Sequence, residues 1–245
     1  MPVERIDICL VSTRRPDLLK PTLESFQQRL FNNFAIGKFY ANVDPIFGDA
    51  EDHRAVVALI RQYFPDADIH EPETPGFCQA VKRNWSATSA DYVLHLEDDW
   101  RLNVNIDQSA FADFSDMRVA QVAFHSEEKN WDVQRRGKLH YRRKNLKLFG
   151  FNLPLKHKVP VFTTSPSLLR GDFARHAASL FDTRLDPEKQ FYNGINDGLE
   201  RYVAPFLSTL LSSSNGFVVT DLGRDWREQR GIKKSIENGA SVWVS

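Results

Sequence analysis

The sequence predicts an α/β fold in which helices flank a mostly parallel sheet. Short apolar runs alternate with stretches of helical periodicity over the first hundred residues. Proline, glycine and acidic residues separate these stretches at the positions where a chain turns. The 245 residues are enough for one large domain, and no repeat or linker divides them. We therefore expect a single domain.

The elements of the first half follow a β-α-β-α-β-α-β order. We expect a strand over 6–11, a helix capped by Asp17, a strand over 38–43, a helix over 50–63 stopped by Pro65, a strand over 67–70, a helix from Gly76 to about 89, and a strand over 91–96. This alternation is typical of a parallel sheet covered on both faces.

The second half is less regular in sequence. We expect strands over 118–125, 161–169 and 217–222, and helices over 172–181 and 196–211, with Pro205 inside the last helix. The intervening basic segment is predicted to be rich in loops, and the residues after 222 form a polar tail.

The composition excludes several classes of protein. Formal net charge is zero and no nucleic-acid motif is present, which argues against a nucleic-acid binder. Two cysteines make no disulfide framework. The start of the chain has no signal-peptide pattern, and no apolar run reaches about eighteen residues. These observations favour a soluble, cytoplasmic protein.

The neutral total conceals a basic segment at 133–171, which contains no Asp or Glu. Its cationic residues are Arg135, Arg136, Lys138, Arg142, Arg143, Lys144, Lys147, Lys156, Lys158 and Arg170. Such a segment can close over a diphosphate, recognise an anionic acceptor, or make a peripheral contact with the inner face of a membrane. A solvated loop without a ligand is the fourth alternative.

Three polar clusters follow predicted strands of the first half: Thr13-Arg14, Asp44, and Glu97-Asp98-Asp99. In open α/β sheets, ligands bind beyond the carboxyl ends of the strands, so we expect these clusters to converge. Three adjacent carboxylates repel one another and need a counter-charge. Oxygen ligands of this kind suit Mg²⁺ or Mn²⁺, often together with a diphosphate.

Three stretches carry a family resemblance: ICLVSTRRPDLLKPTLESF, FYANVDP and GFCQAVKRNWSATSADYVLHLEDDW. They resemble the nucleotide-binding half of GT-A fold glycosyltransferases, and the family-two-like group above all. The last stretch resembles the segment that leads into the family's DXD motif, here in the form Glu-Asp-Asp. The resemblance implies a GT-A-like, Rossmann-type sheet with a nucleotide half over 1–100 and an acceptor half over 101–245.

The resemblance also implies roles for individual residues. Asp99 would hold a Mn²⁺ or Mg²⁺ ion that bridges the diphosphate of a nucleotide-sugar donor, and Glu97 or Asp98 would contact the ribose or the sugar. The resemblance implies four further donor-binding residues: Thr13 and Arg14 beside the base, Asp44 at the base or ribose, and Arg83 at the nucleotide or diphosphate.

An inverting transfer needs a base that takes the proton of the acceptor hydroxyl. In the family this is a carboxylate at the start of a late helix. Here GINDGLERYV places Asp197 at that position, with Asn196 before it and Glu200 one turn on as the alternative. The family's late histidine is missing, since no histidine follows His176; Asp221 or Asp225 could replace it.

The function expected from the resemblance is metal-dependent transfer of a sugar from a nucleotide-diphosphate donor to a hydroxyl on a saccharide or lipid-linked acceptor. A non-catalytic carbohydrate- or nucleotide-binding protein with the same fold is one alternative. A sugar-phosphate nucleotidyltransferase is the other, but that class has a glycine-rich phosphate loop where this chain reads STRRPD.

Overall fold

The computed structural model describes residues 4–148, 151–214, 216–237 and 240–244. The first-half strands are β1 (Arg5–Ser12), β2 (Ala35–Val43), β3 (Asp68–His70), β4 (Tyr92–Glu97) and β5 (Trp100–Leu102). The helices between them are α1 (Pro16–Arg29), α2 (Ala50–Tyr63) and α3 (Phe77–Ala87). The β-α alternation predicted for this half is confirmed.

The second half contributes strands β6 (Val119–Phe124), β7 (Tyr141–Leu148), β8 (Phe151–Pro160), β9 (Ser167–Arg170), β10 (Leu207–Leu211), β11 (Val219–Asp221), β12 (Lys233–Glu237) and β13 (Ala240–Val244). Its helices are α4 (Val133–Arg136), α5 (Gly171–Leu180), α6 (Asp197–Val203) and α7 (Gly223–Gln229). Short 3₁₀ helices cover Phe31–Asn33, Gln108–Ser115, Glu127–Lys129 and Lys189–Phe191.

The central sheet has seven strands in the order β10-β6-β9-β4-β1-β2-β3. Neighbouring strands are parallel except at β9, which is antiparallel to both β4 and β6. The predicted mostly parallel sheet flanked by helices is therefore confirmed. Since β1, β2 and β4 are mutually parallel, their carboxyl ends lie at one edge of the sheet.

The sheet is packed on both faces because its central strands are apolar on both sides. Ile8 and Leu10 of β1 face a core that α1 and α2 complete, with Phe26 among its buried side chains. Cys9 faces the opposite core, where Trp85 of α3 packs with residues of α5 and α6. The two layers hold the carboxyl-end loops of the sheet in place.

Several predictions for the second half were wrong. The predicted strand over 161–169 is a loop up to the short β9, and the predicted helix over 196–211 ends at Val203. Pro205 cannot continue a helix, and the chain proceeds as the edge strand β10. The basic segment is mainly a β7–β8 hairpin, and the expected polar tail contains α7 and the β12–β13 hairpin.

The first helix also begins differently from the prediction. Pro16 is its first residue and Arg15 is the N-cap, so Asp17 lies in the first turn and does not cap it. The Asp17 carboxylate instead accepts a hydrogen bond of 2.8 Å from Nε1 of Trp226.

Within the described ranges, no helix combines the length and apolar character needed to span a bilayer.

Candidate active site

The loops after β1, β2 and β4 enclose a cavity of about 200 Å³ at the carboxyl edge of the sheet. We call it the edge cavity. Its polar lining consists of Thr13, Arg15, Asp44, Glu97, Asp98, Asp99, Asp221 and Arg227. The three polar clusters singled out in the sequence are therefore brought together, and two residues of the second half, Asp221 and Arg227, join them.

Asp98 anchors the loop that follows β1. Its carboxylate accepts hydrogen bonds from Oγ of Ser12 (3.2 Å) and from the backbone N–H (2.7 Å) and Oγ1 (3.0 Å) of Thr13. The guanidinium of Arg15 donates to its other oxygen. Burial raises the pKa of Asp98 and the charge of Arg15 opposes that rise. With four donors directed at it, we take this carboxylate to be ionised at neutral pH.

Arg15 is the counter-charge that the acidic triplet requires. Its guanidinium also lies 3.1 Å from Oδ2 of Asp99, so one buried cation bridges two carboxylates. The rings of Phe47 and Trp226 each lie 5.4 Å from the guanidinium carbon. Burial works against the charged form, but the two carboxylates outweigh it and raise the pKa of Arg15.

Asp99 has a second cationic partner in Arg227 of α7. Nη1 of Arg227 lies 3.4 Å from Asp99, and Nη2 of the same side chain lies 3.2 Å from Oδ2 of Asp221. Antiparallel pairing of β11 with β5 places Asp221 opposite Trp100. Burial, followed by repulsion from Asp99, raises the pKa of Asp221. Two carboxylates from distant parts of the sequence thus converge on one guanidinium.

This donor set fits a divalent cation only in part. Among the described residues, no three His, Cys, Asp or Glu side chains are grouped closely enough to hold a metal ion by themselves. Asp99 and Asp221 nevertheless both contact the guanidinium of Arg227. Two carboxylate ligands suit Mg²⁺ or Mn²⁺ when phosphate oxygens and water complete the coordination shell. The protein residues therefore fit a metal that arrives with a diphosphate ligand.

Asp44 lines the edge cavity and, together with Arg83, also lines a second cavity of about 380 Å³. The Asp44 carboxylate accepts hydrogen bonds from Nδ2 of Asn42 (2.7 Å) and the N–H of Gly76 (3.1 Å), and burial raises its pKa. Arg83 donates to Asp68 at 2.6 Å. Arg14 points elsewhere: its Nε lies 3.3 Å from Nδ1 of His53.

The two proposed bases lie apart from this group. Asp197 is exposed in the first turn of α6, where Asn196 caps the helix through the N–H of Leu199 at 3.1 Å. Glu200 accepts from the backbone N–H of Gly194 and pairs with Nζ of Lys144 at 3.1 Å. Neither Asp197 nor Glu200 lines the edge cavity.

A partly buried carboxylate that the sequence did not single out is Glu188. It accepts hydrogen bonds from Oγ1 of Thr163 (2.9 Å) and the hydroxyl of Tyr192 (2.8 Å), and it lines a large cavity of about 1210 Å³. Burial alone would raise its pKa, but Lys189 and Lys129 outweigh burial and the net pKa is lowered. Glu188 is therefore ionised at neutral pH.

Sequence reasoning also missed Arg15 and Arg227. The signal for Arg15 was present, because an acidic triplet at a buried strand end demands a nearby cation and STRRPD offers two. Only the fold decides between them. Arg227 had no local signal, since 128 residues separate it from Asp99 and α7 itself was not expected.

Comparison with known proteins gives the class of fold. No protein-family model matches the chain, and no curated protein sequence matches it. Among solved structures, a mannosyltransferase from Pyrobaculum calidifontis in complex with GDP-Man and Mn²⁺ aligns with a TM-score of 0.58 at 10% identity. That alignment covers 94% of this chain and 61% of the mannosyltransferase.

Two further structures align at a TM-score of 0.52. S. aureus TarS 1-349 in complex with UDP is 11% identical over 88% of this chain and 60% of its own. GalNAc-T7 with UDP, GalNAc and Mn²⁺ is 13% identical over 88% of this chain and 45% of its own. The chain thus spans less than two thirds of each of these proteins, and the likeness establishes that it has the GT-A fold.

Proposed function

We propose that this protein is a glycosyltransferase that moves a sugar from a nucleotide-diphosphate donor to an acceptor hydroxyl. The observation that carries the proposal is the edge cavity, where Asp98 and Asp99 at the end of β4 meet Arg15 and Arg227. On the GT-A fold this is the carboxyl edge at which α/β proteins bind nucleotides. Three structural neighbours were solved in complex with UDP or GDP-Man.

The donor diphosphate would lie over Asp99. We propose that Glu97-Asp98-Asp99 serves as the DXD motif, with Asp99 and Asp221 as the protein ligands of Mn²⁺ or Mg²⁺. When bound, the metal neutralises charge on the diphosphate. Asp98, committed to Thr13 and Arg15, orders the loop beside the nucleotide instead of coordinating the ion.

The nucleoside would extend from the edge cavity toward Asp44 and Arg83. These two residues line the adjoining cavity together with Asn42 and His70. Asp44 is held by Asn42 and Gly76, so its carboxylate is fixed where a ribose hydroxyl could donate to it. Thr13 lines the edge cavity. Arg14 would lie near the base only after its guanidinium has moved away from His53.

Departure of the nucleoside diphosphate is the step that the cations assist. The guanidinium groups of Arg15 and Arg227 supply fixed positive charge where negative charge develops as the C1–O bond breaks. Trp100 also lines the edge cavity, and its buried Nε1 has no hydrogen-bond partner within the described part of the chain.

For the acceptor we propose an inverting displacement. The acceptor oxygen bonds to C1 of the sugar, the diphosphate leaves with the electron pair, and a carboxylate takes the hydroxyl proton. Asp197 is the base proposed from the sequence and Glu200 is the alternative.

We further propose a cytoplasmic protein whose segment 133–171 makes any peripheral contact with the membrane.

Donor hydrolysis and donor binding test the proposal together. A thermal-shift screen of nucleotide sugars with and without Mn²⁺ should give stabilisation by one donor class that depends on the metal. Slow release of free sugar should accompany it. If a donor stabilises the wild-type protein but no sugar is released or transferred, even with acceptors present, the protein is instead a binding protein with the same fold.

A further inference from the structure

The large cavity that contains Glu188 is framed by cationic side chains. We call it the basic cavity; its volume is about 1210 Å³. Its walls come from α4, the start of β7, the loop before α4 and the segment around Tyr192. The basic residues in its lining are Lys129, Arg135, Arg136, Arg142, Arg143 and Lys189.

The positive charge of this cavity is compensated only in part by its own carboxylates. Its acidic lining residues are Glu128 and Glu188. Glu128 lies 3.5 Å from Arg224, and Glu188 is held by Thr163, Tyr192 and Lys189. Among the described residues, no carboxylate lies within salt-bridge distance of the guanidinium groups of Arg135, Arg136, Arg142 or Arg143. Clustered cations without counter-charges favour an anionic ligand.

Aromatic rings hold two of these arginines in place. The guanidinium carbon of Arg136 lies 5.0 Å from the ring centre of Trp131, and that of Arg142 lies 4.8 Å from Tyr192. Stacking fixes a guanidinium against a ring face while its N–H edge stays available. Arg142 uses one N–H on Asn193 at 3.2 Å. The remaining N–H groups match the oxygens of a phosphate.

Charged residues connect the basic cavity with elements of the edge cavity. Lys129 lines the basic cavity, burial lowers its pKa, and the carboxylates of Glu188, Glu128 and Glu97 raise it. Glu97 belongs to the edge cavity, so one lysine lies within electrostatic range of both. The ion pair of Glu128 with Arg224 also links the basic cavity to α7, which carries Arg227.

We infer that the basic cavity binds the acceptor and that the acceptor is a phosphorylated saccharide. The acceptor role rests on the proposed function, whereas the binding of a phosphorylated saccharide does not. The concave shape and the aromatic walls suit a sugar with its phosphate among the arginines. A flat lipid surface would not reach the stacked face of Tyr192, which is buried.

Binding to immobilised sugar phosphates tests this inference without any donor. The probes are phosphorylated oligosaccharides and the same oligosaccharides after phosphatase treatment, at about 0.15 M salt to suppress non-specific attraction. The variant is Arg136→Gln with Arg142→Gln. The control removes two exposed arginines outside both cavities, Arg5→Gln with Arg54→Gln. Vesicles of phosphatidylglycerol and phosphatidylcholine form the membrane arm.

The expected result is retention of the phosphorylated probes only. The double variant should bind at least about tenfold more weakly, because it loses two charge-assisted contacts, and the control should stay within about twofold. Each single variant should show an intermediate loss, and since both arginines are exposed the fold should persist. Free inorganic phosphate should compete more strongly than chloride of equal ionic strength.

Three results would overturn the inference: no preference for phosphorylated over dephosphorylated probes, equal loss in the control pair, or arginine-dependent binding to vesicles without binding to saccharides. The outcome is separable from the proposed function, because donor hydrolysis is measured independently. If the protein hydrolyses a nucleotide sugar but does not bind sugar phosphates, the proposed function stands and the inferred acceptor is wrong.

Discussion

Nη1 of Arg227 lies 3.4 Å from Oδ2 of Asp99, although 128 residues separate the two in sequence. The same guanidinium reaches Asp221, so α7 inserts one cation between two carboxylates of the edge cavity. Without a ligand, Arg227 supplies the counter-charge there. A diphosphate that arrives with its metal would offer Arg227 a new anionic partner and leave Asp99 and Asp221 to the metal.

The close approach of α7 to Asp99 should be sensitive to a single methyl group. A Cβ at Gly223 would lie 2.1 Å from Oδ2 of Asp99, too close without displacement of one of them. We expect Gly223→Ala to weaken metal-dependent donor binding by about tenfold or more and to cost about 1–3 kcal/mol of unfolding free energy. Calorimetric titration and urea unfolding measure the two effects.

Gly198→Ala is the matched control for this substitution. Its Cβ would meet nothing closer than Asn196 Oδ1 at 3.6 Å, an ordinary contact on helix α6. Donor affinity should be unchanged, and the helix should gain up to about 1 kcal/mol. Equal effects of the two substitutions on donor binding would show that the approach of α7 to Asp99 is unimportant.

The two adjacent arginines after β1 should differ sharply in their contribution to stability. Arg15 is buried between two carboxylates, and Arg15→Met would leave both without their shared cation. Loss of one partner of a buried ion pair costs about 3–5 kcal/mol. Arg14 is only partly buried beside His53, so Arg14→Met should change the unfolding free energy by less than about 1 kcal/mol.

Urea unfolding of both variants at pH 7 compares these costs directly. A small effect of Arg15→Met, similar to that of Arg14→Met, would mean that water or another cation replaces Arg15. The counter-charge argument for the acidic triplet would then fail at its first step.

The identity of the base can be separated from donor binding. If Asp197 takes the acceptor proton, Asp197→Asn should lower kcat about 10²–10⁴-fold and leave the donor Kd unchanged. Glu200→Gln should have a smaller effect, because Glu200 is paired with Lys144 and with the N–H of Gly194. Single-turnover transfer with saturating donor is the measurement.

Glu188→Gln completes that series, because Glu188 is a partly buried carboxylate that lines the basic cavity. Full activity of Asp197→Asn combined with a large loss of kcat in Glu188→Gln would transfer the role of base to Glu188. A comparable loss of acceptor binding alone, seen as a raised KM, would instead mark Glu188 as a residue that positions the acceptor.

Stability should fall on mild acidification because of His95. This side chain is buried in β4, accepts from Nε1 of Trp85 at 3.0 Å, and burial lowers its pKa to about 3. Between that value and its unfolded pKa of about 6.5 the unfolded chain binds the extra proton, so unfolding becomes easier as pH falls. From pH 7.5 to 5.5 this one group should remove about 1.4 kcal/mol.

His95→Gln keeps an acceptor for Trp85 and removes the titrating group. Urea unfolding at the two pH values should then show a dependence smaller by about that amount. An unchanged pH dependence in the variant would show that His95 has the same pKa in the folded and the unfolded protein, contrary to its buried environment.

The first half of the fold was predictable because its signals are local. Buried strands such as β1 and amphipathic helices such as α2 have periodicities that the sequence displays directly. The carboxyl-end convergence of Thr13, Asp44 and Asp98 followed from the parallel topology alone. Each of these inferences needed only neighbouring residues and the handedness of β-α-β units.

The remainder depends on contacts between distant segments. β9 is a four-residue strand inserted antiparallel between β4 and β6, and nothing in its sequence indicates its neighbours. Asp221 joins the site through its pairing with Trp100, and Arg227 through the helix that follows. The arginines of the basic cavity were visible as a charge excess, but their stacking on Trp131 and Tyr192 required the folded chain.

The central claim is that Asp99 binds the metal-bound diphosphate of a nucleotide sugar. The most direct test is calorimetric titration with the donor found in the thermal-shift screen, with and without Mn²⁺. The titrated proteins are the wild type, Asp99→Asn and the control Asp66→Asn, which changes an exposed carboxylate away from the cavities. We expect metal-dependent binding in the wild type and the control and its loss, by at least about a hundredfold, in Asp99→Asn. Metal-dependent donor binding that persists unchanged in Asp99→Asn would contradict the account.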